Sequence, residues 1–207
     1  MNTDSTISGF DSEAEMVAAI SRVTATLPQQ VRERLNFGNG EPQVLQVLGT
    51  DTRRNDGIFF CNGKVYGAEF KRGMVEAHHL YETLIERRYS LILKAKYGDD
   101  FAGIVFIGET VRKGIESNSD TVRTWKELTR CGIAVQSIGE FARSIVTMAI
   151  REIAANPQAF STYTLTQFPS HLHALTTQSD GYPLWFDEAW LKTAYWQFSR
   201  SIVDSGL

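Results

Sequence analysis

No run in this chain approaches the roughly 20 consecutive apolar residues that a membrane-spanning helix needs, so no membrane partner is expected. Cysteine is scarce. Cys61 and Cys131 are the only two in 207 residues, and their spacing matches neither a zinc site nor a disulfide framework. Reduced thiols and a cytoplasmic setting follow as expectations. The opening MNTDSTISGFDSEAE lacks the basic start and apolar stretch of a signal peptide. There is no phosphate-binding glycine loop, no dinucleotide fingerprint, no internal repeat and no low-complexity tract. A net charge of −3 gives no global basic signature of nucleic-acid binding. Residues 50–130 carry a slight positive excess, which an ordinary solvated surface also explains.

What is present is an alternation of helical and strand patterns. Ser12 followed by Glu15 fits a capping box, and Met16, Val17, Ala19, Ile20, Val23 and Leu27 continue as a helical stripe toward residue 35 that Pro28 interrupts. VLQVL (44–48) reads as a strand. Two β-like runs then flank Asn62-Gly63, a pair suited to a tight hairpin turn because both central residues of that turn need positive φ. Residues 75–97 read as one amphipathic helix through Ala77, Leu80, Tyr81, Leu84, Ile85, Leu91, Ile92 and Ala95. GIVFIG (103–108) is a continuous apolar run suited to a strand buried on both faces. A helix over 119–130, a strand over 133–138 and a helix over 139–154 follow. The layout is α/β: a mixed central sheet with an antiparallel hairpin, flanked by helices on both faces. Residues 1–157 read as the core. Residues 158–207 read as an aromatic-rich C-terminal extension packed on it, with a terminal helix near 187–202.

The chemistry concentrates on the hairpin. A two-residue loop at Asn62-Gly63 pairs Cys61 with Lys64, and each step outward pairs the next residues until Asp56 falls opposite Glu69. Opposed residues share a face with Cβ atoms roughly 4.5–5.5 Å apart, and Lys71 lies two residues further along that face. Both hairpin faces are otherwise apolar: Ile58, Phe60 and Val65 on one, Phe59, Tyr66 and Phe70 on the other. Charges in such a sheet need a reason. Two adjacent carboxylates are reconciled by a shared proton or by a cation, and few hard oxygen ligands with an open sphere suit Mg²⁺. A bland alternative is a surface ion pair between Glu69 and Lys71.

Asp56, then Glu69-Phe70-Lys71, spread across a hairpin and followed by a helix and a buried strand, resembles the PD-(D/E)XK nuclease superfamily over roughly residues 10–140. Asn55 stands where the nominal motif has proline. The resemblance implies a restriction-endonuclease-like core and a Mg²⁺-dependent DNA endonuclease, with Mn²⁺ as a substitute ion. It implies catalytic roles for Asp56, Glu69 and Lys71, and metal ligation by Asp56, Glu69 and the Phe70 carbonyl. A restriction-type enzyme implies a homodimer. Glu15 has two readings, helix cap or the helix glutamate that some members place near the metal, and the cap is favoured. Arg53, Arg54, Arg72 and His78 are candidate substrate contacts. Two further readings stay open: a defence or repair nuclease gated by a ligand or partner, and a catalytically silent nucleic-acid-binding subunit. His171 and His173 share a face if their segment is extended, but no cysteine or carboxylate stands nearby to complete a zinc site.

Overall fold

The computed structural model describes residues 9–35, 43–47, 51–61, 63–86, 88–112, 114, 115, 120–177 and 185–204. The side chains of 35, 43–47, 51–55, 60, 61, 128, 176 and 177 lie outside that description. Six strands are described: β1 (Gln43–Val47), β2 (Asp51–Asn55), β3 (Gly57–Cys61), β4 (Lys64–Val75), β5 (Phe101–Val111) and β6 (Gly132–Ser137). β1 and β2 form an antiparallel pair of their own. The central sheet has the order β3-β4-β5-β6, antiparallel at β3/β4 and parallel at the other two junctions. The fold is thus α/β with a mixed four-stranded sheet.

The hairpin register is the one its turn dictates. Cys61 pairs with Lys64, Phe60 with Val65, Phe59 with Tyr66, Ile58 with Gly67 and Gly57 with Ala68. Gly63 has φ 70°, the left-handed conformation a tight turn requires. Asn62 lies outside the described residues.

Alternation along the strands divides the apolar residues between two layers. Phe59, Ala68, Phe70, Val105 and Ile107 face one core. That core is closed by α1 (Glu13–Ala25), α2 (Gln29–Leu35), α6 (Ile138–Ala155), α7 (Thr162–Thr177) and α8 (Glu188–Asp204). Ile58, Val65, Ile104 and Phe106 face the other. It is closed by α3 (Ala77–Tyr81), α4 (Tyr89–Tyr97) and α5 (Asp120–Thr129). At Gly67 a Cβ would come within 2.8 Å of Leu93 Cδ1 and 3.3 Å of Ile104 Cγ1. The bare strand there is what lets α4 lie against the sheet.

Several expectations are corrected. The helix expected over 75–97 is two helices. α3 runs into a π-helical turn at Glu82–Glu86, and Arg88, with φ 55°, precedes α4. A π turn adds a residue to each cycle and shifts the phase of the stripe. Leu80, Leu84 and Ile92 are therefore buried while Tyr81 and Leu91 are 46% exposed. The segment after Phe160 is not extended. α7 occupies it despite an internal Pro169, because Phe168, Leu172 and Leu175 recur at helical spacing and enter the first core. In a helix His171 and His173 point in different directions, so the shared face expected of them does not exist. Trp185, Phe186, Leu191, Ala194 and Phe198 join the same cluster as α1 and the sheet. Phe160, Phe168, Trp185, Phe186 and Phe198 thus extend one continuous core, while Tyr163 and Trp196 stay exposed. Cys131 is a buried free thiol whose Sγ faces the carbonyls of Phe101 and Thr129. Among the described residues, no helix is long and apolar enough to cross a membrane.

Candidate functional site

The β3/β4 ladder stops at Gly57 and Ala68, one step short of the expected Asp56–Glu69 pairing. At Asp56 the chain bends between β2 and β3, and β2 turns away to pair with β1. Phe70 would have faced residue 55 had the ladder continued. Its N–H donates instead to Asp56 Oδ2 at 2.7 Å. A side-chain oxygen thus takes the place of a strand carbonyl, and it fixes the Asp56 carboxyl against β4.

Glu69 and Lys71 follow Gly67 on alternate positions and so share the face covered by α3, α4 and α5. Both are buried: Glu69 is 2% exposed and Lys71 9%. Charged side chains this deep cost several kcal/mol each unless compensated, and the Glu13 carboxylate supplies part of that compensation to Lys71. The Glu69 side chain is among the groups that act on the Asp56 carboxyl, so the two acidic groups lie near one another although they fall outside the ladder. Burial pushes Asp56 above its ordinary carboxyl value. The Phe70 hydrogen bond, the Lys71 charge and the Glu69 hydrogen bond pull it back, while the charge of Glu13 adds to the rise.

Glu13 is the residue that sequence reasoning missed. It opens α1, and its Oε1 lies 3.5 Å from Lys71 Nζ. Glu15, weighed as a ligand, is a cap residue. Its N–H donates to Ser12 Oγ at 3.1 Å, and its carboxylate accepts the Asp11 N–H at 2.7 Å. The signal for Glu13 was available. Two acidic residues open α1, and once Glu15 is committed to the cap the other is free to turn toward the sheet. A further carboxylate, Glu109 in β5, accepts the Phe10 N–H at 3.2 Å, and Gly9 lies so close that a Cβ would meet Glu109 Oε2 at 2.9 Å. These contacts anchor the entry to α1 beside the ends of β4 and β5.

Of the candidate substrate contacts, Arg72 is exposed on β4. Arg53 and Arg54 lie on β2, and their side chains are outside the described residues. His78 is exposed and pairs with Glu76, Nδ1 to Oε2 at 3.2 Å. The neighbouring His79 is the histidine that feels Lys71. Burial, then the charges of His78 and Lys71, hold it below its ordinary value, against the pull of Glu76 and Glu82. Its Nδ1 accepts the Glu76 N–H at 3.1 Å and caps α3.

Among the described residues, no group of three or more His, Cys, Asp or Glu forms a metal-holding cluster. Two adjoining carboxyls fit the lower demand of Mg²⁺, which keeps most of its waters and takes one or two carboxylates. Comparison with protein-family models, with curated proteins and with solved structures gives no match. The functional reading therefore rests on the residues themselves.

Proposed function

We propose that this chain is a Mg²⁺-dependent phosphodiesterase acting on DNA, an endonuclease with a restriction-endonuclease-like core. The observation that carries the reading is the half-buried Asp56 carboxyl, fixed by the Phe70 N–H beside the buried Glu69 where the β3/β4 ladder ends, two residues before a buried Lys71. The order of elements around that site, hairpin, helix and buried parallel strand, supports the resemblance to the PD-(D/E)XK nucleases.

In this reading Asp56, Glu69 and the Phe70 carbonyl hold the ion. When bound, Mg²⁺ supplies Lewis acidity toward a phosphate oxygen and acidifies a coordinated water. The chain's own groups do the rest. The Phe70 N–H fixes the direction of the Asp56 carboxyl. Glu69, held on a central strand, keeps the second carboxyl within reach of the first. The Lys71 ammonium is the proton-handling group and offsets negative charge that develops on the phosphate. Glu13 orients that ammonium from α1. Arg72 is placed on the same strand to meet a phosphate. A two-fold symmetric substrate would call for a homodimer.

Incubation of the chain with supercoiled plasmid tests the reading. Nicked and linear products with Mg²⁺ or Mn²⁺, and none with EDTA, are the expected result. Lys71→Ala, with an unchanged circular dichroism spectrum, should abolish cleavage. Equal nicking by that variant would remove Lys71 from the chemistry. Metal-independent DNA binding without any cleavage would favour a silent binding subunit.

A further inference from the structure

Away from the hairpin, α6 and α8 leave an open groove of about 480 Å³ between them, within the size range of small-ligand sites. Its α6 wall comes from the second half of that helix, Thr147 to Ala154. At 1.5 Å per residue this is roughly 14 to 24 Å along the axis from Ile138, where β6 hands over to α6. The groove is thus a separate surface from the acidic site.

Its lining combines three kinds of chemistry. Ile150 and Ala154 supply apolar floor. Trp196 stands in the wall with 61% of its surface exposed, whereas Trp125 and Trp185 are buried. The guanidinium of Arg200 lies 5.4 Å from the Trp196 ring centroid, and Arg151 lines the groove from α6. An indole plane with one guanidinium beside it, and a second arginine in the same lining, suits a planar π system that carries an anion. Thr147, Gln197 and Ser201 add hydroxyl and amide groups for a ring edge.

We infer that this groove binds a free mononucleotide, its base stacked on Trp196 and its phosphate on Arg151 and Arg200. Asp204 decides between a nucleotide and a strand. It lines the groove too and lies 3.5 Å from Arg200. The carboxylate offsets part of the Arg200 charge, so the lining matches one phosphate group and not the successive phosphates of a polymer. The inference does not depend on the nuclease reading.

The test is titration of the full chain with AMP, followed by calorimetry and tryptophan emission. The expected result is saturable binding that quenches the exposed indole. Trp196→Ala and Arg200→Gln each weaken it about tenfold or more, the size expected from losing one stacked base or one charge-assisted contact. Unchanged melting temperatures show that both variants fold. Adenosine and inorganic phosphate, each with half of the chemistry, bind at least tenfold more weakly than AMP. An eight-residue oligothymidylate binds no tighter than AMP. Absence of saturable AMP binding at millimolar concentration, equal binding by Trp196→Ala, or tighter binding of the oligonucleotide would each overturn the inference. The Lys71→Ala chain should bind AMP normally, so a failed nuclease assay and a failed titration are separate results.

Discussion

Lys71 Nζ stands 3.5 Å from Glu13 Oε1, which ties the ammonium group of strand β4 to the first turn of α1. The same carboxylate raises Asp56 through its charge. Glu13→Gln should therefore lower the Asp56 titration midpoint, read from its carboxyl carbon by NMR. It should cost less than about 1 kcal/mol of stability, because Glu13 is 44% exposed and such pairs are screened. A midpoint that stays put would dissociate Glu13 from the site.

Asp56→Asn should make the fold more stable at neutral pH. The folded chain holds the Asp56 proton more tightly than the unfolded chain, whose carboxyl titrates near 3.8. The favourable contribution is complete below that value and is lost as pH rises through the elevated folded one. Asparagine keeps an oxygen for the Phe70 N–H and carries no charge. The variant's advantage in melting temperature should thus be present at pH 7 and vanish near pH 3. Mg²⁺ should raise the wild-type melting temperature by mass action and leave the variant's unchanged. An Mg²⁺ response of equal size in both would remove Asp56 from the ligand set.

Phe141→Ala should cost about 3–5 kcal/mol in urea unfolding. The ring is 1% exposed and meets Phe59 and Phe70 edge-on, with centroids 5.9 and 6.1 Å away. Phe70 also carries the donor that fixes Asp56, so any cleavage activity should fall at temperatures where the variant is still folded. Full activity up to its melting point would show that the site tolerates a loosened strand.

His79 predicts a second pH dependence of opposite sign. Its folded value lies below the ordinary 6.5, so its contribution is present above 6.5 and is lost as pH falls through the lower folded value. Protonation at Nδ1 removes the acceptor that caps α3 at the Glu76 N–H, a loss of about 1 kcal/mol. His79→Ala should flatten this part of the stability profile, and His78→Ala should leave most of it in place.

The hairpin was legible because a tight turn fixes register, and register fixes which side chains share a face. The end of the hairpin was not legible. Local pattern does not reveal that β2 leaves to pair with β1, so Asp56 arrives by a bend and a side-chain hydrogen bond rather than by strand pairing. The break between α3 and α4 was hidden because Leu80, Leu84 and Ile92 keep an apolar stripe on both sides of the π turn. α7 was hidden by its threonines and Pro169, which disfavour a helix locally. Burial of Phe168, Leu172 and Leu175 overrides that preference. Of the capping box read at Ser12 and Glu15, the Ser12 half is present and the Glu15 carboxylate takes the Asp11 N–H instead of the N-cap N–H, and the choice between Glu13 and Glu15 at Lys71 depended on the angle at which α1 meets the sheet.

In the proposed function the Phe70 amide would act as a built-in gauge. Its hydrogen is held by Asp56 Oδ2, so an ion that takes the same carboxyl would change the strength of that one bond. Deuterium uptake and chemical shift at a single backbone position would then register loading of the pocket directly, with no substrate present and no label added to either acid.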